Sequence, residues 1–477
     1  MHKAFIQWAS LGATIILLSG CATLPPKSVE STTPVVSTQW QVPQGTSMHG
    51  GTDWENVVNW EAFYQHAGLK DLMEMALANN RDLRVSILNV ERARAMYRIQ
   101  RADQYPFFAV DGSLTRSGGG GGESVESYRV EVGLAQFEID LFGRVKQLSR
   151  EALHQYLATE EAQHTVRLTL LAEVADAYLD YVYNAEALAL AEETLKNYQE
   201  QMGILQERIR FGTASSLEIS QTRAVMEQAA ASVANYKASM NTSLNALTLL
   251  VGQPLDLAGL GMTLDLAVTR AFQIPEGLPS ELLLRRPDIR AAEWTLVAAE
   301  ANLEAARLAF FPSIVLTGAV GSASGDLTDL FSSGTDVWSF VPRIRIPLFQ
   351  GGRLIANRDA SEASREMAVA QYERSIQQGF REVSDALTQR AESEQVLQAN
   401  RNRLQALEEV LRISQVRFDA GSMDYYQLLE ARRAYVDGKQ SLLASVRQVE
   451  RSNVSLYRSL GGGFTAEDIN AEVAGIF

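Results

Sequence analysis

Proline placement constrains this chain before anything else does. Of its 477 residues 12 are prolines, yet none lies between Phe107 and Gln253 and none follows Pro347. Proline removes a backbone donor and clashes with the preceding turn, so it breaks helix interiors. Both proline-free tracts are therefore open to long helices, and their apolar spacing agrees. Leu171, Val174, Tyr178, Tyr181, Ala185 and Leu188 recur at alternating three- and four-residue steps, as do Leu404, Leu407, Leu411 and Ser414. That is the period of helices packed as coiled coil. A run from about Phe142 to Ile209 would be ~100 Å long at about 1.5 Å per residue, far more than a globular domain needs.

Four segments leave the helical period. Phe108, Val110, Gly112 and Leu114 alternate with Ala109, Asp111, Ser113 and Thr115, and Tyr128, Val130, Val132 and Leu134 alternate with Arg129, Glu131, Gly133 and Ala135. The glycine run Gly118 to Gly122 joins them as a hairpin tip would. It lacks the Lys-Ser/Thr of a phosphate-binding loop and opens no helix. A second pair covers Ile314 to Val320 and Val337 to Ile346, joined through Gly321, Gly325 and Gly334. Each strand is about ten residues, the length of a tilted transmembrane strand, with one apolar face and one small or polar face. The same alternation fits two hairpins on the surface of a soluble protein, and the pattern alone does not choose.

The chain also repeats itself. An offset of 206 positions brings Asp82 onto Asp288, Arg84 onto Arg290, Pro106 onto Pro312 and Gly112 onto Gly318. Leu141-Phe142 meets Leu348-Phe349 and Arg210-Phe211 meets Arg417-Phe418 one position further out, and after a two-residue slip Arg223 meets Arg432 and Gly252 meets Gly461. Each half then reads helix, hairpin, long helix, turn, helix, one duplication and not a solenoid. Two halves supply four strands, too few to close a barrel. An open sheet edge in lipid leaves backbone groups unpaired at several kcal/mol each. If the strands cross a membrane, several chains share one barrel.

The N-terminus has the form of a signal peptide: Lys3, a short apolar stretch densest from Ala13 to Leu18, then Leu18-Ser19-Gly20-Cys21. The stretch is too short for a permanent span, which takes about 20 apolar residues. Leu-Ser-Gly-Cys resembles a bacterial lipobox, and Cys21 is the one cysteine in the chain. Cleavage there implies an acylated Cys21; two or three acyl chains anchor stably where one does not. A Pro- and Ser/Thr-rich leash follows to about residue 50.

Composition narrows the function classes. A net charge of −14 does not favour a nucleic-acid surface. One cysteine forms no internal disulfide and no cysteine metal cluster. His2, His49, His66, His154 and His164 include no i, i+4 ligand pair. No nucleophile, base and orienting group form a set, so no catalytic residue, metal or cofactor is expected beyond the acyl lipid on Cys21.

The lipobox, Asn80-Arg81-Asp82-Leu83-Arg84, Glu138-Ile139-Asp140-Leu141-Phe142-Gly143-Arg144, Arg285-Arg286-Pro287-Asp288-Ile289, Phe310-Phe311-Pro312-Ser313-Ile314 and Leu460-Gly461-Gly462-Gly463 occur in that order. Together they resemble the lipoprotein branch of the TolC-type outer-membrane factors, the exit ducts of tripartite efflux pumps. The resemblance covers nearly all of the chain after Cys21. It implies a mostly α fold with a small β part: a homotrimer with a long α-helical barrel in the periplasm and one shared twelve-stranded transmembrane β-barrel. The implied divisions are a signal peptide over 1–20, a lipid-anchored tether over 21–55, and a first repeat over 56–252 with its hairpin at about 107–139. An equatorial linker follows over 253–280, then a second repeat over 281–463 with its hairpin at about 313–347, and a tail over 464–477. Implied partners are a periplasmic adaptor, an inner-membrane transporter, usually of the resistance-nodulation-division class, and outer-membrane lipid.

The resemblance further implies a gate at the periplasmic turns. Tyr426, Glu430 and Arg433 lie at i, i+4 and i+7 on one helix face. Tyr426 corresponds to a constricting ring, Glu430 to an acidic ring, and Arg433 to the ion pairs of the closed state. Glu218 matches the acidic partner on the other turn. Phe418 stands where the family often has tyrosine and brings no hydroxyl to Glu218. Gly212, Thr213, Gly421 and Ser422 mark the turns that would meet the adaptor. On the residues alone, Glu430 and Arg433 also read as an ordinary exposed pair worth ~0.2–0.5 kcal/mol. The expected function is an exit duct for small molecules such as drugs. The alternatives are a structural periplasmic lipoprotein, or a duct for metal-ion efflux or protein export.

Overall fold

The computed structural model describes residues 60–118, 124–255, 268–269 and 280–462. The chain divides into two units, 1–36 and 37–477, and every described residue belongs to the second. The signal segment, Cys21, the tether, most of the glycine run, most of the 253–280 linker and the 464–477 tail lie outside the described residues.

In chain order the elements begin with α1 (Trp60–Phe63), α2 (Ala67–Asn79) and α3 (Arg81–Ala102). Strands β1 (Phe108–Ser117) and β2 (Val125–Ile139) follow, then α4 (Arg144–Arg210) and α5 (Ser216–Val251). After a 3₁₀ turn at Ser280–Arg285 come α6 (Pro287–Leu308), β3 (Ser313–Ser324), β4 (Asp336–Arg345), α7 (Arg353–Asp419) and α8 (Tyr425–Ser459). The order helix, hairpin, long helix, helix thus occurs twice, and α4 and α7 are each 67 residues long, ~100 Å at about 1.5 Å per residue.

The strands form one antiparallel sheet in the order β1-β2-β3-β4. Its register sorts the side chains by row. Val110 pairs with Val132, Val132 with Val320 and Val320 with Trp338. In the next row, Ala109 pairs with Gly133, Gly133 with Ala319 and Ala319 with Ser339. In these two rows one face is apolar and the other small or polar across all four strands. The apolar face is uncovered: Val110 is 71 % exposed and Trp338 78 %. β2 is longer than the alternation suggests, at 15 residues. It carries a bulge between Leu134 and Phe137, where Gln136 sits at φ 47; a bulge bends and twists a strand locally. Among the described residues, no helix is long and apolar enough to cross a membrane.

The helices pair as hairpins, α4 along α5 and α7 along α8, while α4 also packs against α6 and α8. The main core lies where the short N-terminal helices meet these long ones. Phe63, Tyr64, Leu69, Leu72 and Met73 pack against Leu171, Val174, Tyr178 and Val182 of α4 and Val454 and Tyr457 of α8. Phe63 stacks on Tyr457 with ring centroids 4.3 Å apart. The 3/4-spaced stripe read from the sequence supplies Leu171, Val174, Tyr178 and Tyr181 to this core.

Candidate channel gate

The turns joining each helical hairpin are built alike. After α4, Thr213 N and Thr213 Oγ1 both donate to Arg208 O. After α7, Ser422 N and Ser422 Oγ both donate to Arg417 O. Gly212 and Gly421 turn the chain at φ +71 and +70, a conformation glycine adopts without steric penalty. The following helices are then capped by side chains. Ser215 Oγ accepts from Glu218 N, and Glu218 Oε2 accepts from Ser215 N at 2.7 Å. This reciprocal capping box satisfies two orphan donors. On the other turn Asp424 accepts from Gln427 N at 2.8 Å.

Glu218 is thereby engaged at its own helix start. Phe418 is placed among apolar groups: it lies against Tyr425, ring centroids 5.9 Å apart, beside a buried cluster of Tyr198, Leu205, Ala229, Tyr425 and Leu429. Tyr426, one residue into α8, points outward and is 53 % exposed. One turn on, Arg433 Nη1 donates to Glu430 Oε1 at 2.7 Å, with both side chains well exposed. This ion pair joins two residues of one helix.

The contacts that tie α8 to the rest of the tip are different ones, and local spacing did not reveal them. Tyr425 OH lies 2.9 Å from Thr222 Oγ1, buried between α8 and α5. Burial pushes the Tyr425 hydroxyl's pKa up, so the phenol stays neutral as a hydrogen-bonding group. Arg432 donates to Gln201 on α4 at 3.1 Å and to Gln415 on α7 at 2.7 Å. Thus one guanidinium joins three helices through neutral amides. A groove of about 720 Å³ opens beside it, lined by Tyr198, Gln201, Gln415, Arg432, Tyr435 and Lys439 among others.

Farther along α8, Arg447 bonds Asp180 at 3.2 Å and Arg451 bonds Asp176 at 3.3 Å. Arg447 also lies over the Tyr183 ring at 3.9 Å. Burial raises the Asp176 pKa, against the pull of Arg451. These pairs fix α8 to α4. Among the described residues no three His, Cys, Asp or Glu side chains gather as a metal site. His154 stacks on Trp294, and His66 caps α2 while bonding Tyr178.

Residues 72–253 and 278–462 match the family described as "Outer membrane efflux protein". The "Solvent efflux pump outer membrane protein SrpC" of Pseudomonas putida is 39 % identical over 463 residues, 94 % of this chain and 97 % of that one. The "Cation efflux system protein CusC" of Escherichia coli O6:H1 is 37 % identical over 450 residues, again 94 % and 97 %. The crystal structure of the open state of the Neisseria gonorrhoeae MtrE outer membrane channel superposes with a TM-score of 0.84 at 34 % identity, covering 90 % of this chain and 96 % of that one.

Proposed function

This chain belongs to the outer membrane efflux protein family, and on that premise we propose that three copies assemble into the exit duct of a tripartite pump. It is an outer-membrane channel of a Gram-negative bacterium with a long periplasmic portion. The observation that carries the assembly is the open four-stranded sheet with its uncovered apolar face. Strands in lipid must pair along both edges. Two copies would give eight strands, and an eight-stranded interior is filled by side chains. Three copies give twelve, the smallest multiple that leaves a lumen.

In this duct the long helices form the periplasmic tunnel, and their turns form its gate. Tyr426 narrows the opening, Glu430 lines it with carboxylates, and Arg433 holds Glu430 in place. Tyr425 and Arg432 secure α8 from behind, where Phe418 and Glu218 lack a shared hydrogen bond. The turns at Gly212, Thr213, Gly421 and Ser422 meet the periplasmic adaptor. An inner-membrane transporter of the resistance-nodulation-division class supplies the energy. Acylation of Cys21 anchors the N-terminus. The cargo is small organic molecules such as drugs; a relative named for solvent efflux supports this, and one named for cation efflux makes metal ions the competing cargo.

Conductance of the purified protein in a planar bilayer tests the reading, with Tyr426→Ala beside wild type. A low wild-type conductance that rises in the variant supports duct and gate. Large, equal conductances keep the duct and reject Tyr426 as its constriction. Folded protein that conducts in neither form rejects the duct.

A further inference from the structure

The apolar face of the sheet is short for a membrane. On β3 it runs from Ile314 through Leu316 and Gly318 to Val320. Six residue steps at about 3.3 Å each, on a strand tilted about 40°, rise only ~15 Å. The apolar band of an outer-membrane barrel is about 25 Å tall. Toward the long helices, exposed Ile346, Leu348 and Phe349 continue the apolar surface beyond β4. Toward the far end the same face turns polar, at the paired positions Arg116 and Glu126 and at Ser322 and Asp336.

The β3–β4 loop covers that far end. Alternation points Ser322 to the same side as Val320. Ser322 Oγ donates to Leu330 O and lies 2.6 Å from Thr335 Oγ1, so the loop lies over the outward side of β3 and not over the lumen side. Leu330 is turned in, 4 % exposed. The loop is held by its own bonds: Asp326 caps a 3₁₀ turn at Leu327–Asp329, and Ser332 N and Oγ donate to Asp329 O at 3.0 and 2.8 Å. Leu327 and Phe331 are left outside, 60 % and 80 % exposed.

We propose that this loop is an outer-leaflet anchor: Leu327 and Phe331 enter the acyl-chain edge of the outer-membrane lipid and extend the apolar band past Val320. The proposal rests on the reading of the sheet as part of a shared transmembrane barrel. Two observations favour lipid over a second copy as the occupant. β3 has β2 and β4 on its two sides, so neighbouring copies join at β1 and β4 and leave the outward side of β3 to the membrane. Trp338, paired with Val320, stands two residues from the Ser322–Asp336 row, ~7 Å along the strand. An exposed tryptophan at that level belongs to the aromatic girdle of a barrel, and Phe331 adds to it.

The test is nitroxide labelling of the full-length protein in phosphatidylcholine vesicles. Collisions with oxygen, which concentrates in lipid, are read against collisions with a water-soluble nickel chelate. Labels at Phe331→Cys and, independently, Leu327→Cys are compared with Val320→Cys on the outward face and Ser339→Cys on the inward one; the unsubstituted chain, with Cys21 alone, is the blank. The oxygen-to-nickel ratio at Phe331 and Leu327 should approach that at Val320 and exceed that at Ser339 several-fold. Ratios like that of Ser339 overturn the anchor. So do low collision rates with both reagents, which would mean that a neighbouring copy covers the loop. If Val320 itself reads as aqueous, the transmembrane barrel fails and the anchor with it; a lipid-like Val320 beside an aqueous Phe331 and Leu327 rejects the anchor alone.

Discussion

Asn80 and Arg286 perform one task at matching places in the two halves. Asn80 Nδ2 donates to Leu250 O at 2.8 Å, and Arg286 Nη1 donates to Ser459 O at 2.8 Å. Each residue is also the N-cap of its short helix, α3 or α6, and each acceptor lies two residues before a glycine with positive φ, Gly252 or Gly461. The chain thus closes each half by tying the end of its last helix to the start of the helix that leads into its hairpin. Their chemistry differs. Asn80 Oδ1 caps α3 by accepting from Leu83 N. Arg286 makes a two-pronged pair with Asp288 and a further bond to Glu382 at 2.6 Å.

That difference predicts unequal costs. Asn80→Ala loses a cap and one neutral bond, about 0.5–2 kcal/mol. Arg286→Ala leaves two carboxylates beside an empty, mostly buried site, about 3–5 kcal/mol. Thermal melts at one scan rate, followed by circular dichroism, should rank wild type above Asn80→Ala and Asn80→Ala well above Arg286→Ala. The reverse order would mean that the hub at Arg286 is not what closes the second half.

Gly252 and Gly212 share a left-handed backbone, φ +78 and +71, but not their surroundings. A Cβ on Gly252 would stand 2.6 Å from Asn79 O and 2.9 Å from Asn79 C, both backbone atoms that cannot swing aside. A Cβ on Gly212 meets nothing within 4 Å. Gly212→Ala should therefore cost only the backbone strain, about 1–2 kcal/mol. Gly252→Ala should cost a further 1–3 kcal/mol or so for overpacking. Equal melting midpoints for the two variants would contradict the close approach at Gly252.

Much of this architecture was legible in the sequence because the signals were local. The 3/4 spacing from Leu171 to Leu188 marks a helix face, and the alternation at Phe108 to Leu114 marks a strand. The contacts that secure the tip were not legible. Tyr425–Thr222 and Arg432–Gln201 join residues more than 200 positions apart, and no periodic pattern encodes which side chains meet at that distance. Glu218 is the instructive case. Matched to the family's gate, it reads as a partner for residue 418. The local Ser-x-x-Glu pattern at Ser215–Glu218 already signals a capping box, and that is the bond it makes. The bulge at Gln136 shows in the sequence only as a phase slip, where the apolar positions pass from Leu134 to Phe137 and Ile139, beyond the alternation read there.

The pair Glu430–Arg433 is exposed and lies within one helix, so its loss should scarcely alter stability, by ~0.2–0.5 kcal/mol. As part of the proposed gate, its effect should appear in conduction. In a threefold assembly each Glu430 recurs around the axis, and a ring of carboxylates favours cations. Glu430→Gln should move the reversal potential in a salt gradient toward anions, while Glu430→Gln with Arg433→Ala should raise conductance. Unchanged selectivity and conductance, with unchanged melting, would place Glu430 outside the pore.

Tyr425 and Thr222 offer the sharpest test of how the tip is held. Their hydroxyls are 2.9 Å apart in a site where Thr222 is fully buried and Tyr425 nearly so. Thr222 Oγ1 also donates to Glu218 O at 2.8 Å, so in the mutual bond Tyr425 OH is the donor. Tyr425→Phe removes that donor and nothing else. Thr222→Val removes the acceptor at nearly constant volume and leaves the phenol unsatisfied, so it should be the more damaging single change. In the double variant neither group is stranded, and much of the loss should be recovered. A double-mutant cycle should show a coupling of about 0.5–1.5 kcal/mol by denaturant melting. If the bond holds α8 against α5 in the closed gate, both single variants should also raise bilayer conductance, less than Tyr426→Ala does. Additive stabilities would show that the two hydroxyls act independently. Coupled stabilities with wild-type conductance would make the bond a feature of the fold alone, with closure resting on the Phe418 packing and the Arg432 bridge.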